Sequence, residues 1–230
     1  MTPLLLIPGM MCDARLFAPQ IAAFSGTRTL CMAPLDRHDT IAALAAEILA
    51  HAPPRFALAG LSMGGIVAMQ IVAQAAGRVD RLALLDTNPL AELPEMRARR
   101  EPQIDKVRQG GLRAVMRDEL KPNYIADGPL KPQVLDTCMD MAMALGPEVF
   151  VRQSRALQSR PDQQDTLRGV TVPTLILCGA QDRLCPPERH QLMHGLVPAS
   201  DLQIIPGAGH LPTLEKPEQT NAALRRWLED

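Results

Sequence analysis

Six short apolar runs recur along this chain, at Pro3 to Ile7, Thr29 to Met32, Arg55 to Ala59, Arg81 to Leu85, Thr174 to Cys178 and Asp201 to Ile205. Each is rich in Leu, Ile or Val or bounded by Gly and Pro, and each is too short to be a buried helix, which predicts strands. Helical patterns lie between them. Asp39 or Thr40 can cap a helix whose apolar residues Ile41, Leu44, Ile48 and Leu49 fall on one stripe and which ends before Pro53-Pro54. A second helix carries Ile66, Met69 and Val72, with Gly77 placed to stop it. Strands alternating with helices predict an α/β fold with a mostly parallel sheet of about six strands, since a helical crossover returns the chain to the same end of the sheet.

The alternation fails between Asn88 and Asp165. Helical segments follow one another there without a strand: Pro94 to Gln109, Leu112 to Leu120, Lys131 to Leu145 and Pro147 to Gln158, punctuated by Gly110-Gly111, Pro122, Gly128-Pro129 and Gly146-Pro147. The expected division is a core of residues 1–87 and 166–230 with a helical insertion of residues 88–165. With 47% hydrophobic residues in 230, the chain can bury a sizeable core. A net charge of -1 without a long run of like charge suggests neither nucleic acid nor an anionic membrane as partner. The apolar run Leu4 to Ile7 has no basic flank and is too short for a signal peptide or a spanning helix, so a cytoplasmic location is expected. Five cysteines (Cys12, Cys31, Cys138, Cys178, Cys185) without CxxC spacing argue against a disulfide framework or structural zinc.

Between the third strand and the following helix stands Gly60-Leu61-Ser62-Met63-Gly64. A strand-to-helix turn this tight needs glycine where a Cβ would meet the adjoining elements, and it presents the serine hydroxyl at the strand end. A hydroxyl is a poor nucleophile at neutral pH and needs an imidazole held by a carboxylate. His210, in "IIPGAGHLP", follows the last strand, and Asp182, in "LILCGAQDRLCPPE", follows the fifth. His38, His51, His190 and His194 lie in polar or helical contexts and read as ordinary surface or helix histidines. Asp86, in "LALLDTNPL", follows the fourth strand and is a competing acid, although Asp182 is preferred. Catalytic groups of open parallel sheets gather at this carboxyl edge.

The motifs "LLLIPGMM", "AGLSMGG", "PTLILCGAQDRLCPPE" and "IPGAGHLPTLEKPEQTNAALRRWL" together make the chain resemble the α/β-hydrolase fold superfamily over nearly its full length. The resemblance implies Ser62 as nucleophile, Asp182 as acid and His210 as base. It also implies an oxyanion hole from the backbone N–H groups of Met63 and Met10, although Pro8-Gly9 stands where many relatives have His-Gly. Neither a metal nor an organic cofactor is implied. The expected substrate is a small to medium, largely apolar ester, thioester or lactone, with the insertion as a helical cap over the serine. Its methionines Met96, Met116, Met139, Met141 and Met143 read first as core, and Arg152 and Arg155 as a solvated helix face. A ligand-sensing or signalling protein of the same fold is the alternative.

Overall fold

A computed structural model of the chain describes residues 1–229. The apolar runs become β1 (Leu4–Ile7), β2 (Leu30–Met32), β3 (Phe56–Leu61), β4 (Val79–Leu85), β5 (Thr174–Gly179) and β6 (Asp201–Ile205). They form one sheet in the order β2-β1-β3-β4-β5-β6, with every neighbouring pair parallel. β1, β3 and β5 are buried along their whole length, which is why they read as continuous apolar runs and not as alternating ones. Successive side chains still divide between the two faces. Leu4, Leu6, Ala57, Ala59, Leu175 and Leu177 pack into one core, and Leu5, Ile7, Phe56, Leu58 and Ile176 into the other.

Helices cover both faces. The second core is closed by α2 (Ile41–His51) and α3 (Met63–Ala75), together with Met193 of α9 (Pro187–Leu196); the first is closed by α1 (Ala18–Phe24) and α11 (Pro217–Glu229) with Phe24, Trp227 and Leu228. Thr40, the N-cap of α2, accepts the amide of Ala43 at 3.2 Å, so it caps in preference to Asp39. β3 continues two residues beyond its predicted end because Gly60 and Leu61 still pair with Leu84 and Leu85. β4 starts two residues early, at Val79 and Asp80, where the charge of Asp80 interrupts the apolar run.

Between β4 and β5 the chain is helical, as predicted, in α4 (Pro94–Lys106), α5 (Leu112–Val115), α6 (Lys131–Leu145) and α7 (Pro147–Gln158), and a further short helix that was not predicted follows, α8 (Gln164–Arg168). The first predicted helix stops three residues early, where the chain widens into a turn over Val107–Gly111 with Gly110 at φ 88°, a left-handed conformation that suits glycine. Met116, Met139 and Met141 are buried in the first core and Met143 packs against it; Met96 is exposed instead. Among the described residues no helix is long and apolar enough to cross a membrane.

Candidate active site

Ser62, Asp182 and His210 converge at the carboxyl edge of the sheet. Ser62 sits directly between β3 and α3 with φ 56° and ψ -117°, a strained conformation for a residue with a Cβ. The close packing of strand and helix holds it there: a Cβ on Gly60 would collide with the Gly64 carbonyl, and one on Gly64 with the Ile7 carbonyl. Its backbone is tied at both ends, the N–H donating to Leu85 O at 2.9 Å and the carbonyl accepting Thr87 Oγ1 at 2.7 Å.

His210 Nε2 lies 2.9 Å from Ser62 Oγ, and His210 Nδ1 lies 2.8 Å from Asp182 Oδ2. An ionised carboxylate only accepts, so Nδ1 carries the proton and Nε2 is left free to accept from the serine hydroxyl. Asp182 Oδ1 accepts the amides of Leu184 (2.8 Å) and Cys185 (3.0 Å). Burial works against its charge, but the His210 ring and these hydrogen bonds outweigh it and hold the carboxyl below the usual carboxylate range.

Asp86 does not reach the histidine. It also has positive φ, at 44°, is fully buried, and accepts the Gly179 amide at 2.9 Å while its other oxygen has no partner among the described residues. Burial and then the neighbouring Asp182 charge push its carboxyl well above the usual range. His190 departs from its reading as an ordinary histidine: it is fully buried, accepts the Thr87 amide at Nε2 (3.1 Å), and burial pushes it down to about 4.

Two further residues position the site and were missed in the sequence. Glu215 accepts three amides: those of Gly209 (2.9 Å) and Leu211 (2.9 Å), on either side of His210, and that of Ala126 (2.8 Å) from the insertion. The His210 amide itself donates to Tyr124 O at 2.7 Å. Gln153 of α7, also buried, accepts the amide of Met11 at 2.8 Å and donates to Leu35 O at 2.8 Å. Met11 has φ 55°, so this bond fixes the turn after Pro8-Gly9-Met10. A Cβ on Gly9 would lie 3.3 Å from Ser62 Cβ, which places that loop against the serine. Met63, the first residue of α3, has an amide with no carbonyl one turn back to receive it.

A cavity of about 510 Å³ opens beside Ser62 and His210, roofed by residues of the insertion such as Leu90, Met96 and Tyr124. Arg152 and Arg155 are not part of it; Arg152 donates to Asp36 O and Arg155 is engaged by Glu101 and Gln158. Its wall is less apolar than the sequence suggested, for it contains Arg99, Arg100, Arg160, Arg183 and Arg189. Among the described residues, Asp182, Cys185 and His210 are the one group of three or more possible metal ligands within 4.8 Å of one another. Two of the three are already bonded to each other and the Cys185 thiol is pushed up by burial, a poor donor set for a metal.

The model of the Alpha/beta hydrolase family matches residues 4–223, and the chain belongs to that family. A pimeloyl-[acyl-carrier protein] methyl ester esterase of Edwardsiella ictaluri is 27% identical over 194 residues, 82% of this chain and 75% of the relative. Other curated relatives are longer: the match to the sn-1-specific diacylglycerol lipase of Mus musculus is 24% identical and covers 74% of this chain but 58% of the lipase. Among solved structures, a thermophilic esterase from Thermogutta terrifontis superposes with a TM-score of 0.89 at 28% identity, covering 99% of this chain and 89% of the esterase. The enol-lactonase of Burkholderia xenovorans LB400 has a TM-score of 0.88 at 22% identity, covering 100% and 92%, a likeness of fold.

Proposed function

We propose that the protein is a serine hydrolase that cleaves a carboxylic ester, or a related thioester or lactone, through an acyl-enzyme. The observation that carries this reading is the unbroken hydrogen-bonded chain from Ser62 Oγ through His210 to Asp182, opening on a cavity. Esterase and lactonase activities among the relatives support the same bond type.

Ser62 Oγ attacks the substrate carbonyl as His210 Nε2 takes its proton. Asp182 stabilises the imidazolium, and the developing oxyanion accepts from the Met10 and Met63 amides. The positive end of α3 points at the same place. Collapse expels the alcohol with the proton from Nε2. Water then attacks the acyl-serine with His210 again as base, Ser62 regains its proton and the acid leaves. Residues 88–165 serve as the cap that limits water and shapes the acyl site.

Ser62→Ala tests this. The variant should stay folded, lose hydrolysis of p-nitrophenyl butyrate and lose covalent labelling by a fluorophosphonate probe. Labelling of a different serine in the folded variant would sink the assignment.

A further inference from the structure

One side of the cavity beside Ser62 holds more positive charge than the protein neutralises. Glu92 is almost completely buried, its side chain 2% exposed, and its two oxygens meet two guanidinium groups: Arg100 Nε at 2.8 Å and Arg160 Nη2 at 3.1 Å. Those arginines are themselves only 14% and 12% exposed. One buried carboxylate for two buried guanidiniums leaves a surplus charge away from water, where it is costly unless a counter-ion arrives. The Nε of Arg160 has no partner at all among the described residues. Arg189, in the first turn of α9, lines the same cavity, and Arg160 is pushed below its usual range by burial, and by Arg100 and Arg189, against the support of Glu92. Over the whole lining, five arginines face two glutamates, while the chain as a whole has a net charge of -1, so the excess belongs to this cavity.

The cluster is also close to the chemistry. Arg100 Nη1 is 3.9 Å from the Sδ of Met10, the residue of the proposed oxyanion loop, and Arg160 lines the same cavity as Ser62 and His210. The ion pair of Arg155 with Glu101 differs: one arginine meets one glutamate and Arg155 does not line the cavity.

We propose that Arg100 and Arg160, with Arg189 beside them, form a subsite for a carboxylate, and that the ester cleaved at Ser62 carries this second, ionised group in the same molecule. This deepens the hydrolase reading and rests on it. Guanidinium is suited to the task because its planar fork matches a carboxylate and it stays charged when buried. The substrate class is then a monoester of a dicarboxylic acid or, with the charge on the other side of the bond, an ester of a hydroxy acid.

The test compares matched pairs of esters at low ionic strength: monomethyl adipate with methyl heptanoate for the acyl side, and 4-acetoxybutanoate with pentyl acetate for the alcohol side. The charged member of one pair should have the higher kcat/KM, by about tenfold, the order expected of a desolvated charge pair. That ratio should fall towards unity in Arg100→Gln and Arg160→Gln. Arg189→Gln, at a partly exposed residue with no ion pair among the described residues, should lower it too and guards against a variant that fails to fold. Equal rates within both pairs, or a ratio that survives all three substitutions, overturns the subsite. If the wild type cleaves no ester, the hydrolase reading fails instead. Calorimetric titration with adipate then decides the subsite alone: binding that is lost in Arg160→Gln or Arg189→Gln upholds it, and no binding or undiminished binding overturns it.

Discussion

Burial and a like-charged neighbour disfavour the charge of a carboxyl while hydrogen-bond donors favour it, and this separates the two acids at the top of the sheet. Asp182 is surrounded by donors that hold its carboxyl below the usual range, whereas Asp86 has one amide, and burial and the Asp182 charge push its carboxyl up. Asparagine is close to isosteric with aspartic acid, keeps an acceptor for the Gly179 amide and tolerates positive φ. Asp86→Asn should therefore change kcat by less than about tenfold, while Asp182→Asn, which leaves His210 Nδ1 without its acceptor, should cost on the order of 10⁴ in kcat. The reverse order in folded variants would move the acid to Asp86. Gln153 offers a second test. Gln153→Ala removes the acceptor from the Met11 amide and frees the loop that presents Met10, so kcat should fall by about tenfold with KM nearly unchanged, because the lost bond serves the oxyanion. A fall in KM-controlled binding alone would assign Gln153 to substrate contact. Ser62, Asp182 and His210 were legible because each lies within a few residues of the end of a strand, Ser62 in a glycine-flanked turn and the other two in short punctuated loops. Gln153 was not: its partner is a backbone amide 142 residues away, and no side-chain pattern announces such a bond.

The same limit governs whole elements. Strands β1, β3 and β5 were legible because burial on both faces makes them apolar throughout, and the helices from α4 to α7 because glycine and proline mark their ends. What periodicity could not give is how the insertion is fastened to the core. That fastening is Glu215, at the end of the short helix α10 (Pro212–Glu215), whose carboxylate holds the strand of chain at Ala126 and both flanks of His210 at once. In the motif "HLPTLEKPE" it reads as one more charged residue before a helix. Glu215→Gln replaces an acceptor oxygen by a donor that must face an amide N–H, and hydrogen bonds to a charged group are worth about 1.5–3 kcal/mol each. The variant should lose about 2 kcal/mol of unfolding free energy in urea and also lower kcat, since the His210 loop and the insertion loosen together. Unchanged kcat at reduced stability would show that Glu215 braces the fold without setting the histidine.

At the scale of the molecule, residues of the insertion and of the sheet share one core: Ile104, Val107, Met141 and Phe150 pack in the same cluster as Leu4, Leu6 and Leu175. Such a structure should unfold in one transition, which lets pH dependence be read as a single free energy. One group that titrates between neutral pH and pH 4 is His190, a buried residue of α9 that faces the end of β4, with its proton affinity pushed down by burial to about 4 from an ordinary value near 6.5. The folded state therefore binds fewer protons than the unfolded chain in that window. Its contribution is intact above pH 6.5, declines as pH falls towards 4 and is flat below, a total of about 3 kcal/mol. Asp86 acts in the opposite sense: its raised affinity favours the folded state at low pH, and that contribution is lost as pH rises. The wild-type curve is thus a difference of the two, and a substitution is needed to isolate the histidine. His190→Gln keeps an acceptor for the Thr87 amide and removes the titration, so whatever packing it loses is the same at every pH. Urea unfolding at pH 7 and pH 4.5 should show wild-type stability falling more steeply than that of the variant, the two curves converging as the pH drops. Parallel curves would mean that His190 gains a proton in the folded protein as readily as in the unfolded chain, and that its burial does not govern acid sensitivity.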